Sequence, residues 1–143
     1  MTPFTIARSA RDAMVAHARR DAPRECCGLL IGRGRRIDLA LPMANAARRP
    51  RTRFQVDPGE HIAVRRVLRH VAPALEVVGL YHSHPDGPAV PSDRDVAEAH
   101  YPDWLFVIVG RGGRSVRAYR IRRNSAVNVA VRWHAAARVR SRA

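Results

Sequence analysis

His82-Ser83-His84-Pro85-Asp86-Gly87-Pro88-Ala89-Val90-Pro91-Ser92-Asp93-Arg94-Asp95 follows an apolar run, Leu75 to Tyr81, that reads as a β-strand. Successive side chains on a strand point to opposite faces, so His82 and His84 share one. The Gly/Pro-rich segment from Pro85 to Pro91 reads as a loop. Ser92 then stands where a helix N-cap belongs and Asp95 lies in the first turn, a capping-box pattern with Asp in place of Glu. Two imidazoles on one strand end and a carboxylate returned by the loop give three ligands. With an open fourth position they form the donor set of a tetrahedral catalytic zinc with bound water. Each piece alone has a plainer use, as a polar strand end, a loop and a cap. Their joint spacing carries the metal reading: seven residues between His84 and Ser92, and two between Ser92 and Asp95.

The flanking chain supplies a sheet and helices. Ile6, Ala10, Ala13, Met14 and Ala18 recur at helical spacing, so residues 4–20 read as a helix ended by Asp21-Ala22-Pro23. Cys26 to Ile31 reads as a buried strand, Gly32-Arg33-Gly34 as a turn, and the alternation of Ile37, Leu39 and Leu41 as its hairpin partner. Arg53 to Val56 suggests a further strand. Asp57 at N-cap, Pro58 at N1 and Glu60 at N3 open a second helix, with Val64, Val67, Leu68 and Val71 as its apolar face and Pro73 as its stop. Trp104 to Val109 is apolar throughout and reads as a central strand. After a turn at Gly110 to Gly113, strands are expected at Ser115 to Ile121 and Val127 to Val131. The fold class is therefore α/β or α+β, a mixed β-sheet flanked by helices. No repeat or linker interrupts it, so residues 1–143 are expected to form one domain, with a basic tail fraying from about residue 132.

Length and charge narrow the class. A chain of 143 residues can bury a core without disulfide or metal staples. No apolar run approaches the roughly 18 residues of a membrane span. The N-terminus, Met1 to Arg8, lacks the basic-then-apolar pattern of a signal peptide, so a cytoplasmic location is expected. The two cysteines, Cys26 and Cys27, are adjacent and support neither a disulfide framework nor a four-Cys zinc site; buried structural thiols are the expectation. The net charge is +14, all 26 basic side chains are Arg, and Arg48, Arg49, Arg51 and Arg53 form a cluster. Nucleic-acid binding is the lesser reading of that charge, because no helix-turn-helix, finger or aromatic-rich platform accompanies it. His17, His61, His70, His100 and His134 have no partner spacing and read as surface or packed residues. The zinc pattern His-Glu-x-x-His and the Pro-Cys-x-x-Cys of nucleobase deaminases are both absent from the sequence.

His-x-His, seven residues, Ser, two residues, Asp is similar to the signature of the JAMM (JAB1/MPN/Mov34) metalloprotease family. That family also carries a Glu before a Cys-Gly-Leu-Leu type strand, and Glu25-Cys26-Cys27-Gly28-Leu29-Leu30 resembles this segment. The likeness extends over residues 4 to about 122, through Pro42 to Asn45, Phe54 and Asp57-Pro58. It implies an MPN/JAB-like fold of cytidine-deaminase-like architecture and one Zn²⁺ per chain held by His82, His84 and Asp95. Glu25 would act as general base and then acid, and Ser92 as donor to the oxyanion. Ser83 and Pro85 would support the loop. Asp86 and Asp93 read as solvated turn residues.

Short bacterial members of the family resemble peptidases acting at the C-terminus of ubiquitin-like sulfur-carrier proteins, after a Gly-Gly tail and often releasing cysteine. The expected function is therefore a zinc-dependent peptidase or isopeptidase with a small carrier protein as partner. Such carriers tend to be acidic, and an Arg-rich surface would speed their encounter. Two other readings stand beside this one. A DNA-associated relative resembling the RadC group fits the charge, but that group usually has Asn at the position of Ser83 and lacks the Glu-Cys-Cys-Gly-Leu-Leu segment. A non-catalytic scaffold of the same fold is opposed by the complete donor set, Glu25 and Ser92.

Overall fold

In the computed structural model, which describes residues 2–135, the order is β1 (Phe4–Ala7), α1 (Arg8–Asp21), β2 (Cys27–Arg33), β3 (Arg36–Met43), α2 (Pro58–Val71), β4 (Glu76–His84), α3 (Asp93–Ala97), β5 (Leu105–Gly110), β6 (Ser115–Arg122), β7 (Ser125–Val129) and β8 (Val131–His134). These strands form one sheet in the order β7-β6-β5-β4-β2-β3-β1-β8. β1 runs parallel to β3 and β8, and β4 parallel to β5, while the other neighbours are antiparallel. The architecture is the mixed, helix-flanked α+β sheet expected. No helix among the described residues is long and apolar enough to cross a membrane.

The central strands β2 and β5 are buried on both faces, as their continuous apolar runs require. One face packs against α1 through Met14, Leu30, Ile37, Tyr81 and Val107. The other holds Leu29, Ile31, Phe106, Ile108 and Ile121 beneath α2 and α3. A register shift in the β2–β4 pairing, between Val77 and Gly79, puts Val78 and Leu80, two residues apart, on opposite faces, with Leu80 on the α2 side. His82 and His84 follow Leu80 at strand spacing and emerge on that side. Trp104 closes the core where β5 begins.

Some elements differ from the sequence reading. Phe4–Ala7 is a strand, not the first turn of a helix. Phe4, Ile6 and Ala7 are buried by pairing with β3 and β8, and this long-range contact overrides the helical spacing they share with α1. Arg53 to Val56 forms no strand; it contributes a lone bridge, Asn45 with Val56. On α2, Val64 and Leu68 pack inward, but Val67 and Val71 are 57% and 74% exposed. The helix therefore uses only half of its apolar stripe against the sheet. The region expected as one strand at Val127 to Val131 contributes to two, β7 and β8. Of the tail expected to fray, Val131–His134 forms β8, and residues 136–143 lie outside the described residues.

Helix starts follow the predicted chemistry. Asp57 accepts the Glu60 N–H at 2.9 Å and Pro58 occupies the first turn of α2. β4 and β5 approach so closely that a Cβ at Gly79 would collide with the carbonyl of Leu105, its register partner. Gly79→Ala should therefore lower stability by about 2–3 kcal/mol, the upper range of overpacking costs. A urea midpoint unchanged from wild type would show that the two strands can separate freely.

Candidate functional site

β4 ends with its two imidazoles aimed at one point. His82 Nε2 and His84 Nε2 lie 3.0 Å apart, and Asp95 Oδ2 stands 3.2 Å from the first and 3.0 Å from the second. The loop that returns Asp95 is pinned from three sides. Tyr119 Oη donates to the Ala89 carbonyl at 2.6 Å, Arg111 N–H to Gly87 O at 3.0 Å, and Gly110 packs so closely on Ala89 that a side chain would not fit. The Ser92 capping box then orients the carboxylate. Ser92 Oγ accepts the Asp95 N–H at 3.1 Å, and Asp95 Oδ2 accepts the Ser92 N–H at 2.9 Å. The cap and the proposed ligand are thus one device, with the hydroxyl proton of Ser92 still free to donate.

Glu25 arrives from the neighbouring strand. Cys27 pairs with His82, and continuing that register sets Glu25 opposite His84. Ser83 fixes the junction: its N–H donates to Cys26 O at 3.0 Å, and its Oγ accepts the Cys26 N–H at 2.8 Å. The role of Ser83 is therefore carried by its side chain as well as its backbone. Glu25 is 7% exposed and its N–H donates to Pro50 O. Its carboxylate forms a wider cluster with His82 and His84, whose ligand atoms all lie within 4.8 Å of one another.

Two donor sets are thus on offer, Asp95 or Glu25 with the two imidazoles. Donors about 2.0–2.2 Å from a tetrahedral metal stand about 3.3–3.6 Å apart, which the Asp95 triangle approaches and the wider cluster exceeds. The tighter set fits a metal also by its hydrogen bonds. His84 Nδ1 faces the Pro88 carbonyl at 2.9 Å, an acceptor only, so the proton sits there and Nε2 of the neutral ring is a bare lone pair. In the neutral ring that lone pair and the Asp95 carboxylate are two acceptors at 3.0 Å; burial opposes a second ring proton, but the hydrogen bonds to Asp95 and Pro88 outweigh it and raise His84, so either that proton or a metal ion in its place satisfies the contact. His82 Nδ1 is buried without a partner among the described residues, so its ring is held by packing: Phe54 stacks on it at 4.1 Å and 18°.

The carboxyls are driven apart in acidity. Burial pushes Glu25 up to about 7, against the smaller opposing pull of His84. Burial also penalises the charged form of Asp95, but hydrogen bonds from His82 and His84, with the Ser92 N–H, more than offset this and hold it well below the usual carboxylate range. Burial lowers His82. Burial likewise raises the thiols of Cys26 and Cys27 to about 11 and 12, which keeps them protonated and fits their expected structural role.

The structure brings together Glu25, His82, His84, Ser92 and Asp95. Sequence reasoning missed two supports. Phe54 and Asn45 enter the sequence reading only as parts of segments that resemble the family. Asn45 satisfies all its polar valences, with Nδ2 donating to the carbonyls of Glu25 and Arg53 and Oδ1 accepting from Ala47 and Gln55. It thereby ties the loop between β3 and α2 to the Glu25 backbone, and no local pattern announces such a role. Of the other histidines, His17 is buried between Tyr81 Oη and Asp21, and His61 packs beside Tyr101 and Trp104. A groove of about 1020 Å³ leads to His82 and Asp95, floored by Leu80, Phe106, Ile108 and Ile121 and bordered by Phe54 and Tyr101.

Residues 7–122 match the family described as prokaryotic homologs of the JAB domain. A desampylase of Haloferax volcanii is 34% identical over 117 residues, covering 78% of this chain and 83% of its own. A CysO-cysteine peptidase of Mycobacterium tuberculosis is 43% identical over 115 residues, 77% of each chain. A solution structure of a Desulfitobacterium hafniense protein shares the fold with a TM-score of 0.82 at 26% identity, covering 94% of this chain and 95% of that one.

Between pH 4.5 and about 7 the folded protein keeps the Glu25 proton that the unfolded chain has released. Unfolding then releases a proton, so this group's contribution is full below that window and is lost as pH rises through it. In metal-free protein, Glu25→Gln should melt with wild type near pH 5 and above it near pH 8. Melting curves that stay superimposed at both pH values would show that Glu25 titrates as an ordinary acid.

Proposed function

Since the chain belongs to the JAB-domain family, in its prokaryotic branch, and is a peptidase-type hydrolase, we propose that it cleaves the amide bond after the Gly-Gly tail of a small ubiquitin-like sulfur-carrier protein, using one zinc ion. The observation that carries the reading is the convergence of His82, His84 and Asp95 within 3.2 Å, with Glu25 set back on the adjoining strand. The names of the relatives, a desampylase and a CysO-cysteine peptidase, support a carrier protein as substrate.

His82, His84 and Asp95 would hold the zinc. When bound, the ion supplies Lewis acidity, which makes water more acidic and the scissile carbonyl more electrophilic. Glu25 takes the attacking water's proton and later delivers it to the departing amine; a carboxyl titrating near 7 suits both transfers. Ser92 Oγ, already accepting from Asp95 N–H, turns its proton toward the oxyanion of the tetrahedral intermediate. The groove takes the extended tail, and the net charge of +14 draws an acidic partner to it.

Zinc-loaded protein incubated with a carrier extended by one residue beyond Gly-Gly should shorten it by that residue in intact mass; an unchanged mass across a panel of carriers would contradict the proposal. Glu25→Gln should abolish turnover while keeping stoichiometric zinc, whereas Asp95→Ala should lose both. Ser92→Ala should reduce kcat by about 10²–10³, the usual cost of one oxyanion donor. Full activity in Ser92→Ala would leave that hydroxyl only a helix cap.

A further inference from the structure

A second hollow of about 410 Å³ adjoins the groove through Arg49 and Arg53, which line both, and is completed by Thr52, Ser92, Asp93 and Arg94. Its lining carries three arginines and one carboxylate. Among the described residues, none of the three makes an ion pair or a side-chain hydrogen bond, and Asp93 reaches none of them. The segment presenting Arg49 and Arg53 is nevertheless fixed. Arg53 N–H donates to Arg49 O at 3.0 Å, and the Arg53 carbonyl accepts from Asn45. Arg94 is carried on α3, between Ser92 and Asp95. The backbone that carries these charges is therefore fixed beside the candidate centre, while the guanidiniums themselves are exposed and unpaired among the described residues.

We propose that this hollow receives the residue released by cleavage and that Arg49, Arg53 and Arg94 bind its free α-carboxylate, an inference that rests on the peptidase reading above. His82 and Asp95 line the larger hollow and Ser92 the smaller, so a scissile carbonyl held between them lies where the two hollows adjoin and divide the substrate. The larger, apolar-floored groove suits the carrier's tail on the acyl side. The smaller one has room for one or two residues on the amine side. A C-terminal residue places its carboxylate only one Cα beyond the scissile nitrogen, where a planar guanidinium can take both oxygens. A lysine isopeptide within a protein conjugate has no carboxylate there. The subsite thus selects carriers with a short C-terminal extension over conjugates joined through lysine.

The test compares a carrier bearing one extra residue as free acid with the same carrier ending in a carboxamide. Wild type should favour the acid in kcat/KM by about tenfold, the low end for a charge-assisted hydrogen bond because exposed guanidiniums stay partly hydrated. In the Arg49→Gln, Arg53→Gln, Arg94→Gln variant the ratio should fall to within about twofold. A wild-type ratio near one, or a ratio that survives in the variant, overturns the proposal. So does a loss that is equal for acid and amide, which would assign the arginines to the carrier's acidic face. If neither carrier is cleaved, the carrier reading fails and binding decides this one. Titrating Gly-Gly-Ala and its amide into zinc-loaded wild type, with arginine Nε–H resonances as the readout, should move Arg49, Arg53 and Arg94 with the acid only. Equal shifts with both would overturn it.

Discussion

The antiparallel register that pairs Cys27 with His82 is the constraint on which the rest of the site depends. It sets Glu25 opposite His84 and Cys26 opposite Ser83. Slipping it by one residue would turn Glu25 toward the α1 face and bury a carboxylate among Leu30, Tyr81 and Val107. The register is secured at its open end by the two hydrogen bonds between Cys26 and Ser83, where a strand pair would otherwise fray. It is secured one pair further in than Cys27 and His82 by Gly28, whose missing side chain makes room for the Tyr81 ring. Tyr81 in turn reaches His17 at 2.7 Å, so α1 is fastened to the strand that presents the imidazoles. Packing on one face thereby fixes geometry on the other.

Two carboxyls within one small site are given opposite characters by their surroundings. Asp95 is reached by imidazoles and a backbone N–H and stays ionised, which suits the ligand role proposed for it. Glu25 is enclosed with less compensation and is pushed up to about 7, which suits the proton-transfer role proposed for it. The overall charge acts on another scale. It leaves these local acidities to burial and hydrogen bonds, and governs which partner approaches and how fast.

Much of this was legible in the sequence because the chemistry is compressed into short segments. His82, His84, Ser92 and Asp95 lie on one strand–loop–helix unit whose periods and caps are local signals. Glu25 became legible only with the family likeness, since a lone acid before an apolar run has no distinguishing pattern. Features made by distant pairing were not legible. β1 reads as helix because Ile6, Ala10 and Met14 share a helical period, and only its partners β3 and β8 make it a strand. The exposure of Val67 and Val71 depends on how α2 is set against the sheet, which no helical wheel reveals. Phe54 and Asn45 act across the loop between β3 and α2, where spacing carries little information.

Asp95, not Glu25, is proposed to complete the metal site with the two imidazoles. X-ray absorption at the zinc edge together with an anomalous difference map from zinc-loaded crystals tests it most directly. The account predicts one ion bonded to His82 Nε2, His84 Nε2 and Asp95 Oδ2, with the Glu25 carboxylate outside the coordination shell. An ion ligated by Glu25 with Asp95 turned away, or bound elsewhere on the chain, would contradict it.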